Sequence, residues 1–190
     1  MRPKKIVISL NSAWSLYNFR AGLIQALSAD GHDVIALAPQ DDYAARLPAL
    51  GCRFVSIPMN TTGTNPLQDM VVLHAYWKIL KRERPDVYLG FTIKPNIYGS
   101  LAAHYLSIPT INNIAGLGKA FHSRNWLSYV VARLYQSALE PARKVLFQNE
   151  EDRSTFVSKG IVSETSSMRV PGSGVDLERF DIPASTSTLS

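Results

Sequence analysis

The sequence predicts an α/β fold: a doubly wound, mostly parallel, Rossmann-like sheet of about seven strands with helices on both faces. Three observations predict it. Short, β-branched apolar runs alternate with helix-period segments along the chain, the helical segments close at glycine or proline, and residues 86–91 are apolar on both faces, like a strand buried in a parallel sheet. A chain of 190 residues holds one well-buried core more readily than two.

The elements follow in order. Residues 6–10 form a first strand, and 18–29 an amphipathic helix stopped by Asp30 and Gly31. Residues 34–38 are a strand, 42–50 a helix closed by Gly51, and 53–57 a third strand ending at Pro58. A long helix at 66–84 precedes Pro85, and 86–91 is the fourth strand. A helix at 96–106, a strand at 110–114, a glycine-bearing loop and a helix at 125–139 come next. The sixth strand is 144–148, the helix 150–159 closes at Gly160, and 168–170 is the last strand. Residues 184–190 are rich in Ser and Thr, so one domain is expected over 1–182, with 183–190 a linker or truncated end.

Composition narrows the function classes. At 46% hydrophobic and 18% charged residues the chain is a folding sequence, not a disordered one. The single cysteine, Cys52, has no partner for a disulfide or a thiolate zinc site, so a reducing, cytoplasmic setting without metal chemistry is expected. The apolar run at 6–10 is too short for a signal peptide, and no stretch approaches the roughly 20 apolar residues of a membrane span, which leaves peripheral contact as the one membrane mode. A net charge of +5 favours anionic partners without choosing among them.

In an open parallel sheet, ligands bind beyond the C-terminal ends of the strands, so the loops there carry the candidates. The first, from Asn11 to Arg20, holds no glycine and therefore is not the G-x-G-x-x-G dinucleotide fingerprint. It sets Ser12, Ala13 and Trp14 ahead of a helix whose N-terminus suits a phosphate; Asn18 and Arg20 read equally as ligand contacts or as a helix cap and a solvated cation. The second, Gly90 to Asn96, presents Lys94 and Asn96 at a helix start, either for an acceptor phosphate or hydroxyl or as ordinary Pro95-led helix chemistry. In the third, Asn112 and Asn113 end a buried strand beside Gly116 and Gly118, which permit close backbone approach. The fourth, with Gly172 and Gly174, leaves the last strand for Val175-Asp176 and Phe180.

That last segment resembles the P-x-G-V-D-x-x-x-F signature of family 4 glycosyltransferases, which lies at the crossover between their two domains. Asn11-Ser12-Ala13-Trp14, the stretch from Thr92 to Gly99, and the stretch from Asn112 to Gly118 are similar to the branch that builds polyprenyl-diphosphate-linked oligosaccharides. The resemblance spans 4–180. It implies a retaining, metal-independent GT-B enzyme whose N-terminal half holds a lipid-linked or other saccharide acceptor. The C-terminal half would bind a UDP-sugar or other nucleotide-sugar co-substrate.

Under that resemblance Ser12, Ala13 and Trp14 approach the donor diphosphate. Asn18, Arg20, Lys94, Asn96, Asn112, Asn113, Gly116 and Gly118 belong to the acceptor side, and Gly172 and Gly174 to the interdomain crossover. Asn149 faces the cleft or caps the helix that follows it. Where some relatives carry a histidine after the fifth strand, this sequence has Asn112 and Asn113, so no catalytic residue is assigned. His74 and His104 fall on helices, and His122 lies in a candidate loop. Ten residues follow Phe180, so the donor domain and its paired glutamates are expected to be missing and the chain to be inactive alone.

A lipid-linked acceptor also implies peripheral contact with the cytoplasmic membrane. The segment 121–143 offers Trp126, Leu127, Val130, Val131, Leu134 and Tyr135 among Arg124, Arg133, Arg143 and Lys144, although such a face is more often core. Two rivals stand beside this reading. A non-catalytic phosphate- or nucleic-acid-binding Rossmann-like module would fit the basic charge, but the Lys and Arg residues are scattered, so no nucleic-acid partner is expected. A sugar epimerase is opposed by the glycine-free first loop.

Overall fold

The computed structural model describes residues 2–61, 65–116, 126–172 and 174. It is the expected doubly wound α/β sheet of seven parallel strands, ordered β3-β2-β1-β4-β5-β6-β7. The strands are β1 Lys5–Ser9, β2 Asp33–Ala38, β3 Arg53–Ser56, β4 Val87–Phe91, β5 Thr110–Ile114, β6 Lys144–Phe147 and β7 Ser167–Arg169. The helices are α1 Ala13–Phe19, α2 Ala21–Ala29, α3 Pro66–Glu83, α4 Ser100–Tyr105, α5 Trp126–Leu139 and α6 Glu150–Ser158. The chain winds outward from β1 to β3, then returns to β4 beside β1 and winds the other way. That reversal is the topological switch point, where a crevice opens beyond the strand ends.

α3 shows how sequence sets an element here. Asn65 caps it by accepting from the Leu67 amide at 3.0 Å, Pro66 occupies the first turn, Asp69 complements the positive end and Lys81 and Arg82 the negative one. Arg84, at φ 46°, ends it in the left-handed region ahead of Pro85. Its buried stripe is Val72, Tyr76, Leu80 and Glu83, and the apolar members pack on Val7, Ile35, Leu37 and Tyr88. Full burial of each such aliphatic side chain stabilises by about 1.5–3 kcal/mol. The opposite face of the sheet packs Ile6, Ile8 and Ala36 against Leu16, Ile24 and Leu47.

Glu83 is the charged member of that stripe, only 9% exposed, and accepts from Arg53 and Arg82. The Arg53 hydrogen bond, with help from Arg82 and against burial, holds its carboxyl below the ordinary value of 4.5. A depressed carboxyl stabilises the fold fully above its unfolded value and loses that contribution as pH falls through the folded one. Denaturant titrations between about pH 7 and about pH 3 are therefore expected to show an acid decline that Glu83→Gln makes shallower. An unchanged acid limb in the variant would count against this assignment.

Three helices depart from expectation. The helix anticipated at 18–29 is two, α1 and α2, broken at Arg20, where φ −130° and ψ 6° leave the helical region while its amide still bonds Leu16 O at 3.0 Å. The segment Ala44–Leu50 is a 3-10 helix, because Pro48 lacks an amide and the surviving bonds close over three residues, as from Gly51 to Pro48 O. The helix expected from 96 opens earlier, with a π turn at Pro95–Gly99 that runs into α4. The expected domain end near Ile182 and the tail at 183–190 lie outside the described residues.

Candidate functional site

At the switch point, a cleft of about 400 Å³ opens beyond the ends of β1, β4 and β5. Asn11, Thr92, Lys94, Asn96 and Gly116 line it together with Met59, Thr61, Ile93, Ile114 and Tyr135. Continuing the pairing of Ser9 with Gly90 sets Asn11 beside Thr92, so the two strands that diverge here each deliver a polar side chain to one wall.

The loop after β1 is shorter than expected because α1 begins at Ala13. Ser12 is its cap, its Oγ accepting from the Ser15 amide at 3.0 Å. The Trp14 amide donates to Asp41 Oδ2 at 2.9 Å, so a carboxylate already occupies part of the helix start suggested for a phosphate. Asn18 therefore stands in the last turn of α1 rather than at an N-terminal cap; its Nδ2 donates to Trp14 O at 2.9 Å. Arg20 is not a solvated cation. It is 9% exposed, its guanidinium lies 4.4 Å from the Phe91 ring centre, and Nη1 donates to Phe19 O at 2.7 Å. Neither Asn18 nor Arg20 lines the cleft.

The loop after β4 carries the strain. Thr92 sits at φ 64°, a left-handed conformation costly for a β-branched residue, and its Oγ1 is buried without a partner. Its carbonyl accepts from the Asn96 amide at 3.0 Å and starts the helical turn. The Lys94 ammonium is drawn into an ion pair with Asp69 at 2.8 Å, the two side chains 13% and 14% exposed. Burial, and then the neighbouring Asp69, push the Tyr98 phenol up.

Behind this wall lies an amide network. Asn96 Nδ2 donates to Asn113 O at 2.9 Å; Asn112 Nδ2 donates to Asn96 Oδ1 at 2.9 Å and to Ser100 Oγ at 2.7 Å. Asn112 and Asn96 are 0% and 1% exposed, and Asn113 is 7% exposed. Gly90 leaves room for the pair: a Cβ there would stand 2.8 Å from Asn96 Oδ1 and 2.9 Å from Asn112 Nδ2. The paired asparagines that end β5 thus tie the β4 loop to the sheet, and of the two faces of this network Asn96 is the one that reaches the cleft.

Other candidates fall elsewhere. Gly118 and His122 lie outside the described residues. Gly172 and Gly174 are exposed at φ 60° and 72° beyond β7, the edge strand, and do not meet the cleft. Asn149 caps α6, accepting from the Asp152 amide at 2.7 Å. His74 stacks on Trp77 on α3, and His104 shares a 3.0 Å hydrogen bond with Thr110. On α5, Tyr135 and Leu139 belong to the core with Phe147 and Phe156, while Tyr129 and Val130 are exposed. The side chains of Trp126 and Leu127 are outside the described set. Among the described residues no group of three or more metal-ligating side chains occurs, and no helix is long and apolar enough to cross a membrane.

Reading the sequence missed Asn11 as a cleft residue, and with it Thr92 and Tyr135, as well as Asp69 as the partner of Lys94. Asn11 and Thr92 were accessible from parallel pairing of the first and fourth strands; Asp69 was not, because it arrives from α3 through tertiary packing.

Comparison with known proteins agrees with this geometry. Residues 19–186 match the glycosyl transferase 4-like domain family. A curated protein of Campylobacter jejuni, N,N'-diacetylbacillosaminyl-diphospho-undecaprenol alpha-1,3-N-acetylgalactosaminyltransferase, is 28% identical over 174 residues. The match takes in 87% of this chain and 45% of that protein, so the chain spans about half the length of this relative. Among solved structures, a glycosyltransferase from Rickettsia africae superposes with a TM-score of 0.67 at 15% identity, covering 95% of this chain and 46% of its own. The UDP-N-acetylglucosamine 2-epimerase of Rickettsia bellii gives 0.64 at 17% identity, covering 93% and 47%. At these identities the structures share the fold alone, which transferases and epimerases both use.

Proposed function

This chain belongs to the glycosyl transferase 4-like family, and from that premise we propose that it is the acceptor-side half of a GT-B glycosyltransferase. The observation that carries the reading is the cleft at the β1/β4 switch point, where Asn11, Thr61, Thr92, Lys94 and Asn96 set polar groups into a largely apolar lining. Such a lining suits a saccharide, whose hydroxyls take the polar groups and whose ring carbons take Met59, Ile93 and Tyr135. The name of the Campylobacter relative supports a polyprenyl-diphosphate-linked saccharide as acceptor.

The donor in this reading is a nucleotide sugar, a UDP-sugar among the candidates, held mainly by a second domain that closes over the strand ends. Domain 1–182 ends at the crossover marked by Gly172 and Gly174, with 183–190 leading onward. Ser12, Ala13 and Trp14 face the donor diphosphate across the cleft; Asp41 must release the Trp14 amide for that contact. Transfer is metal-independent and retains configuration, with the departing phosphate taking the acceptor proton, so the protein supplies positioning rather than a base. The chain works on the cytoplasmic side, in peripheral contact with the membrane that holds its acceptor.

Calorimetric titration of the 190-residue chain tests this. A polyprenyl-diphosphate-saccharide analogue is expected to bind, with little affinity for UDP or UDP-sugars; Lys94→Ala is expected to weaken acceptor binding about tenfold or more without unfolding the chain. Tight binding of UDP with no response to the acceptor analogue would overturn the acceptor-side assignment.

A further inference from the structure

Lys94 is the one charged side chain among the described residues lining the cleft, and its charge is already answered. Asp69, from the first turn of α3, lies 2.8 Å from its ammonium, and both groups are largely withdrawn from water. A buried pair of this kind presents almost no net charge to a ligand, and a phosphate entering beside Lys94 would meet the Asp69 carboxylate as well. Asn11 points the same way. Its Oδ1 is a buried oxygen without a protein partner, and an amide oxygen requires a donor, which a phosphate dianion does not offer. Lys94 keeps two further N–H groups for neutral oxygens.

Resting on the acceptor reading, we propose that Asp69 is a specificity-determining residue of the cleft: it neutralises Lys94, so that this wall receives an uncharged, hydroxyl- or amide-bearing sugar ring and turns a phosphate away. Lys94 then acts as a hydrogen-bond donor rather than a counter-ion. The acceptor's diphosphate, on this account, is bound outside this wall. Asp69 touches no ligand itself; it acts through Lys94.

The test uses the 190-residue chain and two probes, inorganic pyrophosphate and methyl N-acetyl-β-glucosaminide, each followed through the backbone amide resonances of Ile93 and Lys94. In the wild-type chain the saccharide is expected to shift these resonances and pyrophosphate to leave them unmoved at low millimolar concentration. Asp69→Asn keeps the shape and an acceptor for Lys94 but removes the charge. It is expected to tighten pyrophosphate binding at these amides about tenfold or more, the sign of a freed ammonium, without improving the saccharide. A merely structural Asp69 would weaken the saccharide response on substitution without admitting pyrophosphate.

No gain of pyrophosphate in a folded Asp69→Asn chain overturns the proposal, and a saccharide response alongside it would leave the acceptor reading standing. A pyrophosphate gain with no saccharide response in either protein supports the charge control by Asp69 and sinks the acceptor reading instead. Should the variant not fold, the wild-type titration decides alone: pyrophosphate bound at Lys94 more tightly than about 1 mM overturns the proposal, and no binding there supports it.

Discussion

Gly99→Ala is expected to destabilise this chain by about 3 kcal/mol or more, at the upper end of overpacking effects. Gly99 closes the π turn at Pro95–Gly99, and a Cβ placed on it would overlap the Tyr88 hydroxyl and the ring carbon that bears it. Tyr88 has nowhere to go. It is fully buried, packs edge-on to Tyr76 at 6.1 Å, and its hydroxyl donates to Pro95 O at 2.9 Å. The clash therefore pits the backbone of the cleft wall against the centre of the core beneath it. Urea denaturation of the variant gives the magnitude, and Tyr88→Phe in the same chain identifies the cause. Removing the hydroxyl relieves the nearest overlap but not that of the ring carbon, so the double variant is expected to lose less than the sum of the singles. Simple additivity would mean that Tyr88 is not what the new methyl meets.

The sheet was legible because its signal is local. Residues 86–91 announce a buried strand by composition, Asn65-Pro66 with Asp69 announces a helix start, and each is read from a handful of neighbours. The doubly wound character of the sheet follows from the alternation, because right-handed crossovers set successive helices on one face before the reversal and on the other after it. Legibility falls where a conformation answers to distant partners. The left-handed Thr92 has no sequence signature, since threonine is among the last residues expected there. The break at Arg20 depends on Phe91, some 70 positions along the chain, which takes the guanidinium that composition alone assigns to water. Lys94 was read as a cation at a helix start, and that is where it stands; its neutralisation by Asp69 belongs to helix packing, which periodicity does not report. The adjacent asparagines of β5 were read as acceptor-side residues, but the sequence did not say that the Asn112 side chain meets Asn96 and Ser100.

Asn96→Ala is expected to cost about 3–4 kcal/mol and to reduce acceptor binding beyond what the loss of stability explains. The side chain removed is satisfied on both ends in the fully buried strip between β4 and β5. Truncation leaves the Asn113 carbonyl without its donor and removes one of the two acceptors of Asn112 Nδ2, in a place where Gly90 has kept just enough space for two amides. An unpaired buried polar group costs about 1–3 kcal/mol, and the void adds to it. Asn112→Ala in the Asn96→Ala background should then cost little more, because its principal partner is already gone. The effect on binding follows from geometry: Asn96 lines the cleft two residues after Lys94, and its side chain ties this turn to Asn113 O and Asn112, so its loss loosens the Thr92 and Lys94 side chains on that wall. Thermal denaturation and acceptor titration of the single and double variants measure both effects. A stable Asn96→Ala chain with unimpaired acceptor binding would show that the network neither holds the fold nor shapes the site.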